Sequence, residues 1–130
     1  MKKGFTLIEL LVALSITTLL FCLAGVSYVT HIAHVDRDRA EIVLMQLSEQ
    51  LETYASEHAG SYAGATMQDL QMDIVSAQLP YRFSIAALSD TEFTLMAEPR
   101  GSQAVRDALC GVLTLTALNI RGAANAGCWQ

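Results

Sequence analysis

At 130 residues the chain fits a single domain, and 52% of its side chains are hydrophobic, with a mean hydropathy of +0.35 that is high for a soluble domain. The formal net charge is −5. Beyond Lys2 and Lys3 the remaining six cations, all Arg, face thirteen acids, which excludes a general nucleic-acid surface and leaves only a local basic patch open.

The first element is an apolar run. From Phe5 to Val35 the only formally charged side chain is Glu9, and Phe5 to Val29 exceeds the roughly 20 residues that cross a bilayer as a helix. A secretory signal peptide fits poorly, because the run is too long and an acid stands at its head. Lys2 and Lys3 favour a cytoplasmic N-terminus, with the rest of the chain on the other side. A plain single-span anchor accounts for the length and the lysines. It does not account for Glu9, since a carboxylate at the centre of a membrane helix costs about 2.5–3.5 kcal/mol and still costs something near the end.

The stretch KGFTLIELL, Lys3 to Leu11, resembles the start of a type IV prepilin. The resemblance implies a leader of residues 1–4, cleavage between Gly4 and Phe5 by a prepilin peptidase, and N-methylation of Phe5. It also implies a role for Glu9, which falls at the fifth mature position. The carboxylate would neutralise the new Phe5 amine of a neighbouring subunit, or its own amine one turn away. Each charge is costly alone in low dielectric and tolerable when paired; simple snorkelling of Glu9 to the interface is the alternative. Residues 5–35 would then be a transmembrane and filament-core helix, and residues 36–130 a globular head.

The helical pattern continues. Ala40, Leu44, Leu47, Leu51, Tyr54 and His58 recur at spacings of four and three, one face of an amphipathic helix, with Glu41, Glu49, Glu52 and Glu57 off the stripe. The sequence Asp36-Arg37-Asp38-Arg39 reads as the exit into solvent, and Gly60 and Gly64 as a stop. A helix from Phe5 to about His58 would be roughly 80 Å long, too long for a small globule. Next, Tyr81, Phe83 and Ile85 alternate with Arg82 and Ser84. After a turn at Ser89-Asp90, Phe93, Leu95 and Ala97 repeat the pattern, as in an antiparallel hairpin with one buried face. A short helix is expected from Ser102, as N-cap, to Leu109. A third strand falls within Val112 to Leu118 and a weak fourth around Leu118 to Arg121. The fold class is α+β, a long N-terminal helix packed on a small antiparallel sheet.

Cys22 lies inside the apolar run and reads as a packing residue. Cys110 and Cys128 near the C-terminus are a disulfide in an oxidising compartment or two buried thiols. Tyr54 with its following Gly/Ala/Tyr stretch, EPRGSQ after the hairpin, and CGVLTL before a final CW look like the small minor pilins of type IV pili. In those proteins the two C-terminal cysteines bridge and staple the last strands. Trp129 then packs on that bridge or offers an exposed contact. Major pilins often carry Pro in the membrane helix; this segment has Gly25 and no Pro, which predicts a more continuous helix and favours a minor subunit. The acidic calcium loop of the major secretion-system pseudopilins is missing between Cys110 and Gln130.

No chemistry of catalysis suggests itself: there is no phosphate-binding glycine loop, no Cys/His cluster and no glycine-flanked serine nucleophile. His31 and His34 share a helix face but have no third ligand nearby for zinc, so neither a metal nor another cofactor is expected, and interfacial placement is the better reading. The resemblance implies a structural subunit that waits in the bacterial inner membrane and later joins an extracellular pilus. Its partners would be other pilins, the prepilin peptidase, the inner-membrane assembly machinery and, before assembly, the lipid bilayer. The leading version is a minor pilin that primes assembly or modulates the fibre; the alternatives are the major subunit of a thin pilus and a DNA-binding pilin for natural transformation. For DNA the candidates are Arg82, Arg100, Arg106, Arg121 and the Asn-containing loop near the C-terminus, a thin footprint beside the acids of the head.

Overall fold

The computed structural model describes residues 4–71 and 77–129, so the leader residues Met1, Lys2 and Lys3 lie outside the described residues. The chain divides into two compact units, residues 1–32 and residues 33–130. One helix, α1 (Leu7–Glu57), contributes to both. It runs through Gly25 without interruption, as expected where no Pro removes a backbone bond.

In the first unit the large apolar side chains from Phe5 to Leu23, together with Tyr28 and Val29, are exposed. An 18-residue window of α1 reaches a mean hydropathy of 2.4 with none of it buried inside the molecule. By length and composition this helix can cross a membrane. The hydroxyls of Ser15, Thr17 and Thr18 donate to the carbonyls of Leu11, Ala13 and Leu14, at 2.8, 2.6 and 2.6 Å. That satisfies three polar groups within an otherwise apolar surface.

The second unit is built on the rest of α1. Ala40, Leu44, Leu47 and Leu51 are fully buried, as the four-and-three spacing predicts, and Val43 and Ala55 join them. Tyr54 is half-buried and His58 exposed, the His58 ring stacked on Tyr54 at 3.9 Å. Two expectations fail on this helix. Glu41 is buried although it lies off the apolar stripe, and Arg37 is buried rather than marking an exit into solvent. Counting back from Ala40 by three and then four gives Arg37 and Ala33, both buried. The stripe therefore extends further towards the N-terminus than its apolar members indicate. The helix ends on a Schellman turn: the Gly60 N–H donates to the Ala55 carbonyl at 2.7 Å. Ala59 adopts φ 56° and Gly60 φ 82°, so the left-handed position is filled by an alanine where glycine is usual.

Against α1 lies a four-stranded antiparallel meander, β1 (Tyr81–Leu88), β2 (Phe93–Pro99), β3 (Leu113–Thr116) and β4 (Arg121–Gly122), in that spatial order. Phe83 stands opposite Ala97, which stands opposite Leu113, and Ile85, Leu95 and Leu115 form the next row. These inward rows, with Tyr81, Phe93, Ala65 and Leu70, close on the α1 stripe. The register of β1 slips between Ile85 and Ala87, and β4 is only two residues long.

Between β2 and β3 a short helix, α2 (Ser102–Arg106), is smaller than the expected Ser102–Leu109. Ser102 is not its cap. Gly101 holds that position at φ 57°, ψ −130°, with no side-chain capping bond, because that backbone conformation is open essentially to glycine alone. The fourth strand also falls later than expected. Residues 117–120 are a loop in which Asn119 takes φ 58° and its N–H donates to the Thr116 carbonyl at 2.9 Å.

Candidate functional site

In the first unit Gly4, Phe5 and Thr6 precede the helix, and the Phe5 side chain is exposed. The Thr6 carbonyl accepts from the N–H groups of Glu9 and Leu10, at 3.1 and 3.2 Å. Glu9 thus sits in the first turn of α1, where a carboxylate faces the positive end of the helix dipole. Around it is a continuous apolar surface far larger than a soluble monomer leaves uncovered, which calls for lipid or other helices as cover.

In the second unit the principal polar feature is internal. Arg37 Nη1 donates to Asp107 Oδ1 at 2.6 Å and approaches Cys110 Sγ at 3.0 Å. Arg37 Nη2 lies 2.6 Å from His34 Nδ1; a guanidinium can only donate, so this ring nitrogen is the acceptor. The Tyr81 hydroxyl donates to Asp107 Oδ2 at 3.4 Å and accepts from Gln103 Nε2 at 3.1 Å. Gln103 Nε2 also donates to the Ala33 carbonyl at 2.8 Å. Burial pushes the Tyr81 phenol up to about 12, and the neighbouring Asp107 carboxylate adds to that effect. This network ties α2, the start of β1 and the cysteine loop to residues 33–37 of α1. Sequence reasoning missed it, and only the phase of the helical stripe pointed to Arg37.

Cys110 and Cys128 are joined in a disulfide with a Cα–Cα distance of 5.5 Å, and both are buried. Trp129 is half-buried against the core. Its Nε1 donates to the Gly122 carbonyl at 2.8 Å, and the Arg121 guanidinium lies 5.5 Å from its ring centre, a cation–π distance. Arg82, Arg100, Arg106 and Arg121 are all exposed. They do not share one element. Arg82 stands on β1 opposite Glu98 of β2, Arg100 follows β2, Arg106 ends α2 and Arg121 opens β4. Elsewhere the Thr66 hydroxyl and N–H both donate to Asp69 and hold its carboxyl below the usual range. The Tyr62 hydroxyl donates to Glu52 Oε1 at 2.7 Å, which raises the phenol. Among the described residues no group of three or more His, Cys, Asp or Glu could hold a metal ion.

Residues 1–21 match the prokaryotic N-terminal methylation motif. Residues 26–114, more than half of the chain, match the family described as type IV minor pilin ComP, DNA uptake sequence receptor. The chain belongs to this ComP family of type IV minor pilins.

The fold of this minor pilin is also that of a solved relative. The crystal structure of the non-core minor pilin PilV of Neisseria meningitidis superposes with a TM-score of 0.58 at 18% identity. The match covers 75% of this chain and 92% of that one. No curated protein sequence matches this minor pilin. The family match takes in Arg82, Arg100, Arg106 and Cys110 but ends before Arg121, Cys128 and Trp129.

Proposed function

We propose that this minor pilin is cut between Gly4 and Phe5, methylated at Phe5, and carried into a type IV pilus by its N-terminal helix, where its head serves as a receptor for DNA during uptake. The assembly part rests on one observation above the others: the first half of α1 is an exposed apolar stretch headed by a single carboxylate, Glu9, within a methylation motif. Before assembly that helix is covered by the inner-membrane bilayer, with the N-terminus cytoplasmic. Afterwards it is covered by the helices of other pilins, brought together by the assembly machinery. Glu9 pairs with the methylated amine of Phe5 in that apolar setting, which removes the cost of leaving either charge alone.

The DNA part is supported by the family match and by the exposed Arg82, Arg100, Arg106 and Arg121. It becomes the leading reading of the head because the family is one of minor pilins, which sets aside the major-subunit alternative. Residues 36–130 carry six Arg against twelve acids, so contact is local rather than spread over the surface. The guanidinium groups take the phosphates of the duplex.

The test is fluorescence anisotropy of labelled duplex DNA with the full-length protein in non-ionic micelles. Affinity should fall as salt rises, with a log–log slope of about −0.9 per phosphate contacted. Replacement of the four arginines by serine should flatten that slope. No binding at low salt would leave a pilin that only primes or modulates the fibre.

A further inference from the structure

After β2 the chain leaves a short apolar ridge uncovered. Val105 in α2 and Leu109 in the turn that follows it are each 79% exposed. Ala104, Arg106 and Ala108 are exposed with them, and of this stretch only Asp107 is buried, bonded to Arg37. Backbone bonds hold the turn: the Asp107 N–H donates to the Gln103 carbonyl at 2.9 Å and the Gly111 N–H to the Asp107 carbonyl at 3.2 Å. Arg100, also exposed, stands just ahead of α2. This end of the head offers two aliphatic side chains beside two cations.

The other end of the sheet carries a groove of about 320 Å³, with Ala87, Leu88, Phe93, Ala117, Leu118 and Ile120 in its walls. Leu118 and Ile120 are both exposed. Their loop is set in advance: the Ile120 N–H donates to the Thr116 hydroxyl at 3.2 Å, and the Thr116 N–H to the Ile120 carbonyl at 3.1 Å. A cavity of about 150 Å³ with aliphatic walls holds a benzene molecule, so the groove has room for a valine and a leucine side chain. Glu92 is the one charged side chain among the described groove residues, and Asp90 near it is exposed. Among the described residues neither Glu92 nor Arg106 makes an ion pair within the chain.

Ridge and groove belong to the same compact unit, residues 33–130. They lie beyond opposite ends of β2, whose seven residues span about 20 Å. One is apolar and basic, the other apolar and acidic. We propose that the ridge of one copy seats in the groove of a second copy of this chain. Val105 and Leu109 pack on Leu88, Leu118 and Ile120, and Arg106 reaches Glu92. Burial of aliphatic surface supplies the affinity, while the charge pair sets orientation and register. Because two different patches meet, the contact is heterologous, and a copy whose ridge is seated keeps its own groove for another. Side chains alone make it, with no strand added to a sheet edge. Arg82 and Arg121 lie outside it. The proposal rests on the assembly reading for its setting, since heads gathered by their helices meet at high effective concentration.

The experiment uses full-length protein with Cys22→Ala at high concentration in non-ionic micelles. Ala108→Cys marks the ridge, Thr91→Cys the groove end and Glu49→Cys a distant position on α1, all exposed and none a contact side chain. A short bismaleimide joins mixed copies, and the dimers are quantified by mass. The 108/91 mixture should give several-fold more dimer than 108/49 or 108/108. Arg106→Glu in the ridge copy, or Glu92→Arg in the groove copy, should cut that excess several-fold, and the two together should restore it. Val105→Ser with Leu109→Ser should abolish it. Glu9→Ala should leave it unchanged, so a failure of the assembly reading and a failure of the docking are read separately. Equal yields from all mixtures, or no recovery on charge exchange, overturn the contact. In fibres sheared from cells, linkage of position 91 to a different pilin and none between copies gives the groove to that pilin and overturns docking of a second copy.

Discussion

Arg37 and Asp107, seventy residues apart in sequence, face each other inside the head, Nη1 to Oδ1 at 2.6 Å, with side chains only 4% and 8% exposed. The arginine occupies a position of the α1 stripe that its neighbours fill with alanine and leucine. Removing one member strands a buried charge, which typically costs about 3–5 kcal/mol, whereas replacing both with apolar groups is often near neutral. Arg37→Met and Asp107→Leu should each lower the urea midpoint of the micelle-bound protein strongly, and the double variant should recover much of the loss. Additive losses in a double-mutant cycle would mean that the pair is not coupled.

The disulfide closes a loop with a sequence separation of 18, which the chain-entropy relation values at roughly 3 kcal/mol. Cys110 Sγ also lies against Arg37, so its loss reaches the buried network. Cys110→Ser should speed limited proteolysis of the head markedly. An unchanged digestion profile would show that the bridge adds nothing to the stability of the last strands.

Tyr81 provides a pH signature. Its phenol titrates at about 12 in the folded chain against about 10 in a free chain. The unfolded state therefore loses this proton first, and the stabilisation, complete below about pH 10, disappears as pH rises to about 12. Two units correspond to about 2–3 kcal/mol. Stability measured from pH 9 to 12 should fall across that window, and Tyr81→Phe should flatten this part of the curve. A variant with the same alkaline slope as the parent would assign the loss to other groups.

Glu9→Ala is expected to leave membrane insertion and peptidase cleavage intact and to reduce incorporation into fibres. The unpaired Phe5 amine would carry a penalty on the order of 3–5 kcal/mol in an apolar setting. Immunoblots of sheared fibres and of membranes from the same cells separate the two steps. Normal fibre levels of the variant would refute charge pairing as the reason for this carboxylate.

The regular elements were legible because their cue is periodicity. Leu44, Leu47 and Leu51 declared a helix face. Phe83, Ile85, Phe93 and Leu95 declared a half-buried hairpin, and the interval from Phe5 to Val29 declared a membrane length. What stayed hidden depended on pairing across long sequence distances. Arg37 sits in phase with the stripe, yet its charge reads as surface until Asp107 is seen beside it. Gln103 and the Tyr81 hydroxyl carried no pattern at all. Ser102 offered a cap by composition, but the unusual backbone of Gly101 took that place. The four candidate arginines were visible as types, while their distribution over β1, the end of β2, α2 and β4 required the sheet order.

The slip between Ile85 and Ala87 and the two-residue length of β4 concern the rims of the meander. A long straight rim is a template on which a second chain can add a strand, and interrupted or very short rims resist this. In a fibre, where heads are held at very high local concentration, such additions would fuse subunits irreversibly. A head with one rim broken and the other nearly absent can stand beside its neighbours without knitting to them. Cohesion between subunits then has to come from another surface, and the exposed apolar stretch of α1 offers one.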